Sequence, residues 1–205
     1  MITIVDYGTG NLGSIKNMLK KIGEDSTIAM TAPEIKRAAK LILPGVGSFD
    51  NGMKNLEERG FIDILNLKVL HEKVPVLGIC LGMQLMAKES EEGELQGLGW
   101  INAQVRKFPF DKTDRNLKIP HMGWNTIEMK KYSALTEGLQ GENRFYFVHS
   151  YHLVANNDEV VLSKTRHGLN FVSSIANGNI LGVQFHPEKS HGFGMTLLSN
   201  FVRAF

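Results

Sequence analysis

The stretch VLGICLGMQLM (residues 76–86) changes its periodicity at the cysteine, and that change decides the fold. Upstream, VPVLGI is a continuous apolar run of the kind that forms a strand buried on both faces. Downstream, LGMQLMAKES reads at helical spacing. A buried strand that passes straight into a helix belongs to an α/β sheet, where ligand chemistry gathers at the carboxyl ends of strands. Cys80, the only cysteine among 205 residues, stands at such an end. Gly78-Ile79-Cys80-Leu81-Gly82 is the cysteine version of the G-x-S-x-G nucleophile elbow. The residues two away must lack side chains so that strand and helix can pass closely. The helix start favours a thiolate, and the backbone N–H of Leu81 is expected to point into the site as an oxyanion donor. A free cysteine is also a common inert core residue, and flanking glycines arise by chance about once in two hundred cysteines. The elbow therefore needs catalytic partners elsewhere in the chain.

Outward from this stretch, the first half alternates strand and helix. MITIVDYG is an apolar strand, LGSIKNMLKKIG a helix with Gly23 at its end, and DSTIAM a short strand. APEIKRAAK is a helix with Pro33 in its first turn, and LILPGVG is a strand that stops at Pro44-Gly45. Residues 49–73 are helical with an interruption near Gly60. This alternation predicts a doubly wound, mostly parallel sheet flanked by helices. After Gly93 the texture changes to short strand candidates separated by turn residues: GWINAQVRKF, GWNTIEM, RFYFVHSYHLV, EVVLSKTR, NFVSSIANG and NILGVQF. They predict an antiparallel or mixed extension of the sheet in the C-terminal half. GMTLLSNFVRAF closes the chain as a helix. The acidic cluster ESEEGE (89–94) is expected to be a solvated helix end.

Length and composition fit one domain over residues 1–205 that buries enough surface to need no disulfide or metal. Twenty-three basic against 21 acidic residues give a net charge of +2, too balanced for a nucleic-acid partner. The N-terminus has neither the basic start nor the apolar stretch of a signal peptide, and no run of about 18 apolar residues occurs. A cytoplasmic protein without a membrane partner is expected, and a single cysteine fits a reducing compartment.

Cysteine acyl chemistry needs a base, and the base needs an orienting carboxylate. LGVQFHPEKS (181–190) supplies both. His186 follows an apolar strand and Glu188 stands two residues on, across Pro187. In extended backbone those two side chains share a side. His71, His121, His149, His152, His167 and His191 have no carboxylate at this spacing, and surface or structural roles are expected of them. A second oxyanion donor is expected from Pro44-Gly45-Val46-Gly47, a strand-end loop that lets main-chain N–H groups approach a substrate. No metal-ligand spacing occurs and no cofactor is expected. Gly8-Thr9-Gly10-Asn11-Leu12-Gly13 fits the dinucleotide spacing, but no acidic residue ends the next strand to hold a ribose.

Taken together, GICLGMQ, PGVG, YFVHSY and QFHPEKS resemble the class I, triad-type glutamine amidotransferases from end to end of the chain. Within that family the chain is most similar to the branch of glutaminase subunits of imidazole glycerol phosphate synthases, in histidine biosynthesis. The resemblance implies that Cys80 attacks the side-chain amide of glutamine, with His186 as base and then acid and Glu188 orienting it. Leu81 and, after a loop adjustment, Val46 would hold the oxyanion. Gly47, Gln84, His149, Ser150 and Tyr151 match positions that bind glutamine. The ammonia would pass to a (β/α)8-barrel cyclase subunit in a heterodimer, and Asn11, Met122, Trp124, Tyr146 and Lys189 match positions facing that partner. For Trp124 a core aromatic is the alternative to an interface residue. The family commonly has an aromatic residue where TRHGLN carries His167. The tail HPEKSHGFGMTLL also looks like paralogues that feed a sugar-modifying amidotransferase of a surface-glycan pathway. An independent γ-glutamyl hydrolase and a silent regulatory subunit are the remaining readings.

Overall fold

The computed structural model describes residues 2–110, 117–139 and 141–205. Its first half follows the alternation read from the sequence: β1 (Ile2–Val5), α1 (Leu12–Lys21), β2 (Ser26–Ala29), α2 (Ala32–Lys36) and β3 (Lys40–Leu43). Then come α3 (Phe49–Glu58), α4 (Phe61–Asn66) with a π-helical turn at Leu67–His71, β4 (Val76–Ile79) and α5 (Leu81–Leu85). Local chemistry sets these ends. Asn11 accepts from the Ser14 N–H at the start of α1, and left-handed Gly23 follows its end. The Glu34 carboxylate accepts from the Met30 and Thr31 N–H groups ahead of α2.

The second half is strand-rich: β5 (Glu89–Ser90), β6 (Ala103–Lys107), β7 (His121–Thr126), β8 (Glu128–Met129) and β9 (Arg144–His149). It continues with β10 (Tyr151–Ala155), β11 (Val161–His167), β12 (Leu169–Asn177), β13 (Ile180–Val183) and α6 (His191–Ala204). Among the described residues the main sheet runs β2-β1-β3-β4-β13-β12-β10-β6-β5, with β11 against β12 and β8 against β11. Its β2-to-β13 portion is parallel. From β13 to β12 the direction reverses, and antiparallel pairing continues through β10 and β6. β7 and β9 form a separate antiparallel pair.

Every residue of β4 and β13 is buried, which is why both read as unbroken apolar runs. Alternate residues feed two cores. Leu41, Leu43 and Val76 pack with Phe49, Leu56 and Leu65 of α3 and α4 on one face. Ile42, Leu77 and Ile79 pack with Leu19 of α1 and Leu197 and Phe201 of α6 on the other.

Two expectations are corrected. The helix after Cys80 ends at Leu85 rather than near Ser90, because the carbonyls of Leu85, Met86 and Ala87 accept from the N–H groups of Leu98, Ile101 and Gly99. The acidic cluster is then no helix end. Glu89 and Ser90 form β5, and the following turn folds onto the start of α3. There Glu92 accepts from the Phe49 N–H at 2.8 Å, while Asp50 accepts from Glu94 and Leu95 at 2.9 and 3.0 Å. A helix N-terminus with free N–H groups draws in one carboxylate, Glu92, that the charge pattern alone assigned to water.

Candidate active site

Three adjacent parallel strands deliver the site: β3 ends at the Pro44–Gly47 loop, β4 at Cys80, and β13 three residues before His186. Cys80 is buried and has φ +54° and ψ −109°, a backbone setting that a residue with a Cβ rarely adopts. Hydrogen bonds hold it there. Its N–H donates to the Val183 carbonyl at 2.8 Å, and its own carbonyl accepts from Met83 and Gln84 at 3.1 and 3.2 Å. The flanking glycines are sterically required: a Cβ on Gly82 would lie 1.8 Å from the Leu43 carbonyl oxygen, and one on Gly78 2.8 Å from the Met83 nitrogen. As the first residue of α5, Leu81 has an N–H with no helical partner.

His186 and Glu188 meet as the spacing predicts, but by a different backbone. Only His186 is extended (φ −101°, ψ 96°), and Pro187–Lys189 closes into a single 3₁₀ turn. That turn brings Nδ1 of His186 to 2.8 Å from Oε1 of Glu188, with both side chains buried. The His186 backbone is itself pinned. Its N–H donates to the Tyr146 carbonyl at 2.9 Å, and its carbonyl accepts from the Ser190 hydroxyl at 2.6 Å. Nε2 of His186 is buried without an aligned hydrogen-bond partner. Burial lowers the pKa of this imidazole, yet Cys80 and Glu188 outweigh burial and push it up to about 10. The thiol is thus close enough to act on the ring's charge without being aligned to it, a looseness common before substrate binds.

Val46 N–H does not face Cys80. It donates to the Thr9 hydroxyl at 3.0 Å, and that hydroxyl donates back to the Val46 carbonyl at 2.7 Å. The Tyr7 hydroxyl donates to the Pro44 carbonyl at 2.5 Å, so β1's outgoing loop clasps the β3 loop at two points.

Beside Cys80 lies a cavity of about 360 Å³ lined by Val46, Gly47, Cys80, Leu81, Gln84, Glu92, Pro120, Val148, His149, Ser150 and Tyr151. The Gln84 amide donates to the Tyr151 carbonyl and to Oε1 of Gln184, both at 3.0 Å, and Gln184 in turn donates to Sγ of Cys80 at 3.7 Å. Among the described residues Glu92 is the one carboxylate on the cavity wall; burial raises its pKa and Asp50 adds to this, against the lowering by the Phe49 N–H.

Residues 3–205 match the family described as "Glutamine amidotransferase class-I". The chain belongs to the class I glutamine amidotransferases. It is 54% identical over 203 residues to "Imidazole glycerol phosphate synthase subunit HisH 2" of Methanococcus maripaludis, covering 99% of each chain. The HisH subunit of Bdellovibrio bacteriovorus is 48% identical, and HisH 2 of Pseudomonas aeruginosa 44%, each over 98% of both chains. Among solved structures, a glutamine amidotransferase superimposes with a TM-score of 0.76 at 23% identity over 98% of this chain and 97% of its own. PurLQS from Thermotoga maritima gives 0.75 at 15% identity over 98% and 96%. These two likenesses establish a shared fold.

On this amidotransferase four of the remaining predicted positions, Met122, Trp124, Tyr146 and Lys189, lie near one another on β7, β9 and the turn after His186. β7 and β9 present Met122 beside Val148 and Trp124 beside Tyr146 on their outer face. Met122 is 62% and Trp124 40% exposed, so Trp124 is no core aromatic. Its ring stacks on His191 with centroids 5.4 Å apart and meets Tyr146 edge-on, and Lys189 lies over the Tyr146 ring at 5.5 Å. Asn11 is half-buried and occupied as the α1 cap. His167 fills the slot expected of an aromatic, stacked on His121 at 4.3 Å and edge-on to Phe108 and Phe110.

Sequence reasoning passed over Glu92, Gln184 and Thr9. Glu92 had a signal, since it lies a few residues past the nucleophile's helix. Gln184 had a weaker one, a polar residue ending a wholly apolar strand. Nothing in GTGNLG marks the Thr9 hydroxyl, whose partner is 37 residues away.

Proposed function

We propose that this amidotransferase is the glutaminase subunit of an imidazole glycerol phosphate synthase in cytoplasmic histidine biosynthesis. It works as a heterodimer with a (β/α)8-barrel cyclase. The observation that carries the glutaminase half is the buried 2.8 Å His186–Glu188 contact, with Cys80 held on a strained turn beside the cavity. The thiolate attacks the side-chain carbonyl carbon of glutamine, and negative charge moves to the carbonyl oxygen, facing the Leu81 N–H. The imidazolium gives its proton to the amide nitrogen, ammonia leaves, and a glutamyl thioester remains. His186 then takes a proton from water, hydroxide replaces the thiolate, and glutamate departs. Glu188 keeps Nδ1 protonated and Nε2 on the reacting side throughout.

Glutamine brings an ammonium and a carboxylate as well as the amide. Glu92 is placed to meet the ammonium, while Gly47, Ser150 and Tyr151 supply main-chain groups and Gln84 a side-chain amide around the rest. With Val46 clasped by Thr9, only one oxyanion donor is free, so turning the Val46 peptide is the step that completes the site. A partner seated on Met122, Trp124 and Tyr146 is well placed to favour that turn, because Val148 of the same face lines the cavity.

The test is glutamate release by the chain alone, then with the histidine-pathway cyclase and its ribotide ligand. Strong stimulation by both together is the expected result; none with a folded cyclase would send the ammonia elsewhere. A second reading, the same chemistry serving a sugar-modifying synthase, is favoured by one feature. His191, from the tail that resembles such paralogues, stacks on Trp124 in the docking face.

A further inference from the structure

Behind the cavity wall, outside the triad, lies a buried chain of imidazoles whose hydrogen positions follow from its two ends. Nδ1 of His149 is 2.8 Å from the Tyr151 carbonyl, which can only accept, so Nδ1 carries the proton. A neutral His149 then has only a lone pair on Nε2, and Nδ1 of His121, 3.0 Å away, must donate to it. That leaves a lone pair on Nε2 of His121, which accepts from the Asn125 amide at 3.1 Å. The second amide proton of Asn125 goes to the Arg166 carbonyl at 3.0 Å, and its oxygen accepts from the Thr126 N–H at 2.8 Å. Turning the Asn125 amide over would set two acceptors against each other, so its orientation is forced as well. Burial, together with neighbouring histidines, keeps His121 neutral down to about 4 and His149 down to about 3. The chain therefore has one arrangement of protons at neutral pH.

The far end of this chain is the glutamine pocket. The Tyr151 carbonyl takes a second hydrogen bond from Gln84, whose amide also donates to Gln184, the residue that reaches Cys80. Its near end is a strand with two occupations. His121 and Asn125 point inward from β7, while Met122 and Trp124 of the same strand point outward.

Resting on the glutaminase reading, we propose that His121 is a positioning residue for glutamine: oriented by Asn125, it fixes His149 as the Nδ1–H tautomer and so holds the Tyr151 carbonyl and the Gln84 amide at the cavity. A buried donor or acceptor left without its partner is costly, so removing the His121 nitrogens loosens this wall rather than the reacting atoms.

The full-length chain carrying Cys80→Ala, which binds without turnover, gives the first readout by titration calorimetry. His121→Phe is expected to weaken glutamine binding about tenfold, and His121→Asn, whose amide N–H stands where Nδ1–H stood, to restore it to within about threefold. Unchanged binding in the Phe variant, or an Asn variant no better than Phe, overturns the proposal. The second readout needs no variant to fold and no activity. Long-range ¹H–¹⁵N correlation of histidine-labelled wild-type chain should show both rings neutral with the proton on Nδ1, and an Nε2–H or charged His149 overturns the proposal. Asn125→Asp sets a carboxylate against the Nε2 lone pair, and should draw a proton onto Nε2 of His121 in the same spectra. Absence of glutamate release from a chain with Cys80 intact, both alone and with the folded cyclase and its ribotide ligand, would count against the glutaminase reading instead, and glutamine binding and the tautomers would still decide this one.

Discussion

At the scale of single residues, the proposed mechanism assigns unequal work to Cys80, His186 and Glu188. Cys80→Ala removes the only nucleophile and should abolish glutamate release while the circular dichroism spectrum stays that of the parent. His186→Ala removes the group that moves every proton, a loss of about 10³-fold or more. Glu188→Gln keeps an acceptor oxygen near Nδ1 and loses the charge, so a smaller loss than that of His186→Ala is expected. The reverse ranking, read from initial rates at saturating glutamine, would mean that His186 is not the base. Thr9 makes the opposite kind of prediction. Its hydroxyl occupies the Val46 N–H, so Thr9→Val frees an oxyanion donor and should raise the rate of the isolated chain several-fold, toward the partner-stimulated value. A variant as slow alone as the wild type would show that the clasp does not hold the loop back. Thr9 was invisible in the sequence because its contact joins two loops 37 residues apart. Cys80, His186 and Glu188 were visible because each sits at a strand end beside residues whose backbone needs are plain.

At the scale of elements, the nucleophile's geometry is enforced by α5 lying against the ends of β3 and β4. Gly82→Ala would drive a methyl group into the Leu43 carbonyl, which as backbone cannot swing aside, so α5 must move. A loss of about 3 kcal/mol or more in chemical denaturation is expected, together with lost activity. A variant of parental stability would mean that α5 does not rest on Leu43. The elements themselves were largely legible. β1, β3 and β4 announce a parallel sheet because strands buried on both faces carry no polar alternation, and α1 shows Gly23 where it must turn left-handed. What failed was the stretch after Leu85. Helical spacing continued on paper, but the carbonyls of α5 are capped by a loop from residues 97–101, and no local pattern announces a non-local cap. The same blindness hid Glu92. Its charge read as solvated because the α3 N-terminus that receives it lies 43 residues earlier. Glu92→Gln should therefore raise the KM for glutamine about tenfold with little change in kcat, as the loss of a charge-paired contact to the substrate's ammonium. A fall in kcat alone would remove Glu92 from substrate binding.

At the scale of the whole molecule, the four buried histidines divide into two populations with opposite effects on stability. His121 and His149, with His152 beside them, are buried, and burial lowers all three. In the unfolded chain they take up protons near pH 6.5, whereas the native fold refuses them until about 4 for His121 and about 3 for His149. The unfolded state thus binds more protons in that window, and native stability falls as pH drops from about 6.5 toward 4. His121 alone accounts for about 2 kcal/mol of that fall, allowing for solvent at the edge of the cluster. His186 has the other sign. Burial disfavours its charge, but Cys80 and Glu188 raise it to about 10, so its contribution is complete below about 6.5 and disappears as pH rises through about 10. Stability should therefore peak near pH 6.5, with an acid limb owned by the imidazole chain and an alkaline limb owned by the triad. Guanidinium midpoints measured from pH 4 to pH 10 would trace both limbs. His121→Phe should flatten the acid limb and leave the alkaline one, and His186→Ala should do the reverse. If both variants flattened the same limb, the two histidine populations would be one coupled system rather than two.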